Sequence, residues 1–204
     1  MSSFSSLLEE VKDVKYLKLG EVCRIVLCGT VFGRRFYKDS GFPVLKTSDI
    51  WNGQIVTDDL SYCDPKNHPN ANIIKRGDVV ITNVGKVAIN LTDQEFFFIS
   101  TIFKLVPRKD VLIAKYLYHF LLENPEEVDR LIREGRLRKS DLKELAIPVP
   151  SSEIQARIVN SLDSNFSKTT RVHSEEITND TSLQETVVLE HKSFWQRLKS
   201  FFGW

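Results

Sequence analysis

Cysteine, net charge and long apolar runs are all scarce in this chain, and each shortage removes a class of protein. Cys23, Cys28 and Cys63 are odd in number and form no Cys-x-x-Cys pair. That argues against a disulfide framework and a thiolate zinc site, and small buried thiols are expected instead. No hydrophobic stretch approaches the roughly 20 residues of a membrane-spanning helix. The start, Met1-Ser-Ser-Phe-Ser-Ser, lacks the basic region of a secretory signal, so a cytoplasmic location is expected. With 28 Lys+Arg against 27 Asp+Glu the formal net charge is +1, which gives no chain-wide attraction for nucleic acid. Any basic face must be local.

Catalytic constellations are missing too. His68, His119, His173 and His191 are scattered with no His-x-x-x-His pair, and no serine or cysteine lies in a nucleophile elbow. Gly29-Thr-Val-Phe-Gly33 is too poor in glycine for a phosphate loop, and Val84-Gly85-Lys86 has no Walker spacing before it. Asn67-His68-Pro69-Asn70 lacks the second proline and the aromatic of a methyltransferase box. Asp64-Pro65-Lys66 and Asp141-Leu142-Lys143 have a nuclease-like acid-x-lysine spacing but no second acid on a strand. No cofactor or metal site is expected.

What is present, at 204 residues with 42% hydrophobic and 27% charged, is the material of one soluble globular domain with an appendage, or two small ones. Phe4, Leu7, Leu8 and Val11 fall at helical spacing behind a Ser6 to Glu9 capping box. Leu19 to Leu27 is β-branched and reads as a strand. Val44-Leu45 reads as another, and Asn52-Gly53 predicts a hairpin returning through Gln54 to Thr57, with Lys46, Thr47 and Ser48 near one edge. Strands are expected at Val79 to Thr82, Val87 to Leu91, Phe96 to Ile99 and Ile102 to Val106, around one core of Val79, Ile81, Phe96, Phe98, Phe103 and Leu105. A helix capped by Asp110 runs through Asn124, and a second follows over residues 126–134. Helices after strands, rather than alternating with them, define an α+β domain with a small mixed or antiparallel sheet.

Pro148 and Pro150 hold Ile147 and Val149 extended and forbid a helix through this point. Ser151 or Ser152 then caps a new helix with Ile154, Ile158 and Leu162 on one face. The order Ser140-Asp141-Leu142-Lys143-Glu144-Leu145, Ile147-Pro148-Val149-Pro150, Glu153-Ile154-Gln155-Ala156-Arg157-Ile158-Val159 resembles the closing segment of a target recognition domain in the specificity subunits of type I restriction-modification enzymes. Leu19-Gly-Glu-Val22 resembles the opening of that domain, and Gly41-Phe-Pro43 through Asp49-Ile50 to Gly53-Gln-Ile55, with Lys75-Arg-Gly77-Asp78-Val-Val80, match its interior pattern. The family more often has Pro-Leu at Ser151-Ser152 and an acid at Ile154. The spacing is intact.

The resemblance spans residues 17 to 162 and implies residues 1–150 as a DNA-binding recognition domain, with 151–204 as a helical, coiled-coil-like spacer for pairing and partner docking. It implies a non-catalytic subunit that reads double-stranded DNA while methyltransferase subunits and a motor-endonuclease subunit supply the chemistry. Because the family typically has two such units, a half-length subunit forming a homodimer through its C-terminal helix is expected. Arg34, Arg35, Tyr37, Lys46, Thr47, Ser48, Asn83, Lys86, Arg136, Arg138 and Lys139 are the candidate DNA contacts, because arginine and lysine suit guanine or phosphate and asparagine suits adenine. For each taken singly, an exposed structural role is an equal alternative. A stand-alone DNA-binding regulator or decoy is the competing reading. So is an interfacial membrane helix formed by the aromatic, basic end, Phe194 to Trp204.

Overall fold

A computed structural model describes residues 3–12, 14–27 and 33–164. The compact unit runs from Ser2 to Leu162, and its architecture is α+β. At its centre lies an antiparallel sheet in the order Val87–Ile89, Val79–Thr82, Ile102–Pro107, Cys23–Leu27. Both faces of this sheet are covered, which explains why Val79–Thr82 is buried at every position and reads as a continuous apolar run rather than an alternating one. Val79, Ile81, Phe103 and Leu105 face the helices, where they meet Tyr116, Leu117 and Leu121. Val80, Ala88 and Ile102 face a second, mixed sheet. That sheet runs Tyr37–Lys38, Ser61–Cys63, Phe42–Leu45, Phe96–Phe98, Ile73–Ile74, with Phe96–Phe98 parallel to Phe42–Leu45. The expected single core is therefore two. Phe96 and Phe98 lie in one cluster and Val79, Ile81, Phe103 and Leu105 in the other, because the first two belong to the mixed sheet and the other four to the helix-facing side of the central sheet.

One polar contact crosses this double layer. Lys104 projects from the central sheet between the two cores, ion-pairs with Asp78 and donates to the Ile73 carbonyl at 2.8 Å. The lysine thereby ties the edge strand of the mixed sheet to the central one.

Several boundaries differ from the sequence expectation for local reasons. The leading helix is Phe4–Glu9 with Ser3, not Ser6, as its cap; Ser6 is the partner that reaches back to the Ser3 N–H. Leu19–Val22 is a helical turn between the strands Lys15–Lys18 and Cys23–Leu27, and Leu19 and Val22 point into the core. Gln54–Ile55 pairs with Ile50–Trp51, whereas Val44 and Leu45 belong to the mixed sheet. The long helix is Ala114–Glu123 and starts beyond Asp110, whose carboxylate is held by Arg108 at 3.1 Å. The helix after it is a short Pro125–Asp129.

The proline hinge closes the domain. Ala146–Val149 pairs antiparallel with Lys15–Lys18, setting Tyr16 opposite Pro148 and joining the two ends of the compact unit. A helix over residues 152–164 follows, capped by Ser151, whose hydroxyl accepts the Ile154 N–H at 3.4 Å. Gln155 in its first turn is 0% exposed. Its Nε2 donates to the carbonyls of Val111 and Pro150, both at 2.9 Å, and its Oε1 accepts the Ile113 N–H at 2.9 Å. The last of these satisfies a backbone donor at the entry to the Ala114–Glu123 helix, where no side-chain cap exists. Ile158 and Leu162, with half-buried Ile154 beside them, complete the helix-side core, so this stripe packs against the domain itself. The part of the coiled-coil-like spacer expected beyond residue 164, and the aromatic end, lie outside the described residues.

Candidate nucleic-acid interface

Backbone hydrogen bonds fasten three turns to one another at one end of the central sheet, and side chains join a fourth. The Asn83 N–H donates to the Thr101 carbonyl at 2.7 Å, and the Asn83 carbonyl accepts the Leu137 N–H at 2.7 Å. Thr47 and Thr101 share a hydroxyl contact of 2.9 Å, and the Lys86 ammonium donates to the Thr47 carbonyl at 3.4 Å. Segments near residues 47, 83, 101 and 137 thus form one continuous rim.

The 133–136 turn is a tight reversal in which Arg133 and Arg136 exchange two backbone hydrogen bonds of 3.0 Å. Glu134 and Gly135 take φ of 54° and 71°, the left-handed pair that closes a two-residue turn. Arg133, Arg136 and Arg138 all stand exposed. Arg138 is partnered by Glu134 at 3.0 Å, both side chains being well exposed. Such a pair is easily exchanged for another anion.

The Asn52-Gly53 hairpin forms the flank. Asn52 and Gly53 have φ of 45° and 78°, as an Asn-Gly turn of this type requires. A Cβ on Gly53 would lie 2.6 Å from the Tyr118 hydroxyl, so glycine alone permits this close approach to the long helix. Gly53 also bridges Ala88 of the central sheet. The tip is anchored, and it holds Trp51 56% exposed. The Lys86 ammonium lies 5.9 Å from the centre of the indole. Val84, at the tip of the neighbouring turn, is 47% exposed.

Beneath this surface Asp49 braces the 46–49 turn, accepting the Lys46 N–H at 2.8 Å and the Ser48 hydroxyl at 2.7 Å. Burial raises its carboxyl above the usual aspartate range, against the lowering effect of those hydrogen bonds. Lys46 turns to the Ser61 hydroxyl at 2.9 Å, so its charge is partly engaged within the domain.

The sequence candidates therefore divide. Lys86 bonds Thr47 directly and Asn83 reaches Thr47 through Thr101, with Ser48 next to Thr47 and Arg136, Arg138 and Lys139 flanking Leu137, which bonds Asn83. Arg34, Arg35 and Tyr37 are not joined to this rim: Tyr37 lies on the edge strand of the mixed sheet and pairs with Cys63, two residues along from the Ser61 that Lys46 reaches. There Arg35 stacks over Phe36 at 4.7 Å, and Phe36 meets His68 edge-on. Trp51, Val84 and Thr101 were not singled out from sequence. An exposed tryptophan beside an Asn-Gly turn was a usable signal; the position of Thr101 was not, because it depends on the strand order. Among the described residues no group of three or more histidine, cysteine or acidic side chains is placed to hold a metal ion, and no helix is long and apolar enough to cross a membrane.

A two-sheet α+β unit with interlocked polar turns at one end and a helix leaving through a proline hinge defines a class, that of DNA specificity domains. The chain belongs to the family described as the type I restriction modification DNA specificity domain, whose model matches residues 11–179. The fold is shared with the HsdS subunit from Thermoanaerobacter tengcongensis, at 23% identity and a TM-score of 0.63 over 84% of this chain and 44% of that one. It is also similar to a chain from a structure addressing complex assembly and conformational transition of the type I R-M system, at 21% identity, TM-score 0.65, covering 90% and 48%. The S subunit of the type I restriction-modification system from M. genitalium is similar at 16% identity, TM-score 0.55, covering 85% and 45%. The match thus spans less than half the length of each of these solved chains. No curated protein sequence matches it.

Proposed function

We propose that this chain is a sequence-specific DNA-recognition unit of a type I restriction-modification complex, and that it directs partner methyltransferase and endonuclease subunits to their site. The observation that carries this reading is the rim. Turns distant in sequence are locked together, with Asn83 and Lys86 half-buried in the rim and Arg136 and Arg138 exposed beside them, an arrangement that suits readers of base edges among phosphate-binding cations. The chemistry belongs to the partners.

Each of the solved chains is about twice this one in extent, so one recognition unit fits here. Two copies paired through the segment after residue 162 would present two units and read an inverted repeat. The stand-alone regulator or decoy differs only in the absence of enzyme partners. Enrichment of random duplexes on the full-length chain tests recognition, with one recurring sequence expected and none contradicting it. Co-expression with a type I methyltransferase subunit, followed by mapping of methylated adenines, tests direction. Methylation confined to the enriched sequence supports the subunit; binding without co-purification or methylation supports the regulator.

A further inference from the structure

Asn83 combines two properties that rarely coincide. Its backbone N–H and carbonyl are both held by long-range hydrogen bonds of 2.7 Å, while its side-chain amide makes no hydrogen bond among the described residues. The amide therefore stands on a fixed support with both its donor and its acceptor unused. The next residue is the exposed Val84, and the exposed Trp51 lies across Lys86. A free amide beside an apolar surface matches one base pair in the major groove. Adenine offers N7 as acceptor and N6 as donor, which an asparagine amide engages together, and the thymine opposite adds a C5-methyl group. A G·C pair offers neither the same donor-acceptor edge nor a methyl. With Lys86 over one face of the indole, Trp51 is unsuited to sandwiching between two bases, and contact through its free face or edge remains.

Resting on the DNA-recognition reading, we propose that the 83–86 turn with Trp51 specifies an A·T pair, Asn83 engaging adenine and Val84 with Trp51 packing on the thymine methyl. The base preference at this point is then set by residues whose positions are fixed before DNA arrives.

The test uses the sequence enriched from random duplexes by the full-length chain, and absence of any enriched sequence contradicts the recognition reading itself. Within the enriched duplex, each thymine is replaced in turn by uracil, which removes only the methyl, and each adenine by 7-deazaadenine, which removes only N7. One thymine is expected to weaken wild-type binding about four-fold when its methyl is lost, and the paired adenine about ten-fold when N7 is lost. Val84→Ala and Trp51→Ala should become insensitive to the uracil exchange, and Asn83→Ala to the deaza exchange. Retained sensitivity in those variants overturns the assignment, as does uniform indifference of the wild-type chain to every exchange. A variant that loses binding to all duplexes alike places its residue on the phosphate backbone and also overturns it.

Discussion

Gln155 and Asn83 carry the same functional group and use it in opposite ways. Gln155 is fully buried and turns its amide inward, joining the proline hinge, the entry to the long helix and the first turn of the 152–164 helix. Asn83 makes its long-range bonds with its backbone and leaves its half-buried amide without a hydrogen bond among the described residues. The first residue fixes where a helix leaves the domain. The second is fixed by the domain so that it can meet something else. Polar groups turned inward should govern stability and those turned outward binding, and variants can separate the two.

Gln155→Leu should cost the most stability, about 3 kcal/mol, because it removes three hydrogen bonds and strands the Ile113 N–H and two carbonyls in the interior. Urea denaturation measures it, and a cost below about 1 kcal/mol would break the contrast. Lys104→Met should come next at about 2 kcal/mol, since Asp78 loses its ion-pair partner in a half-buried site. Gly53→Ala should cost about 1 to 2 kcal/mol through left-handed strain and collision with Tyr118. It should also lower DNA affinity by tilting Trp51, which anisotropy titration would register. Arg138→Ala should leave stability within about 0.5 kcal/mol, because its pair with Glu134 is exposed, and should flatten the salt dependence of DNA binding by roughly one ion. An unchanged salt slope would remove Arg138 from the contact surface.

Burial also governs the thiols. Cys23 is pushed up to about 12, chiefly by removal from water. The folded state therefore favours the neutral thiol, and this contribution is complete below the ordinary cysteine value and declines as pH rises towards 12. Slow alkylation of Cys23 at pH 8 in the folded chain, compared with the urea-unfolded chain, is the expected sign.

Patterns with a short-range physical cause were legible in the sequence. Pro148 and Pro150 forced the break, Asn52-Gly53 forced the hairpin, and Ile154, Ile158 and Leu162 marked a buried helical stripe. Failures arose where a distant partner decided the outcome. Leu19 to Val22 reads as the start of a strand carrying the β-branched Val22, Ile25 and Val26 but curls into a helical turn, with the Leu19 N–H held by the Leu145 carbonyl at 2.8 Å. Asp110 looked like a cap, yet the donor it was expected to serve is satisfied from Gln155, 45 residues later in the sequence. The meeting of Thr101 with Thr47 and Asn83 depends on strand order, and no local pattern carries that order.

The central claim is that DNA sequence is read by the interlocked rim. Its most direct test is an anisotropy titration of the full-length chain against the enriched duplex and a scrambled one, comparing wild type with Asn83→Ala/Lys86→Met at equal urea midpoints. The account predicts a preference of about a thousand-fold in the wild type, lost in the double variant while stability is unchanged. An undiminished preference in that variant would contradict it.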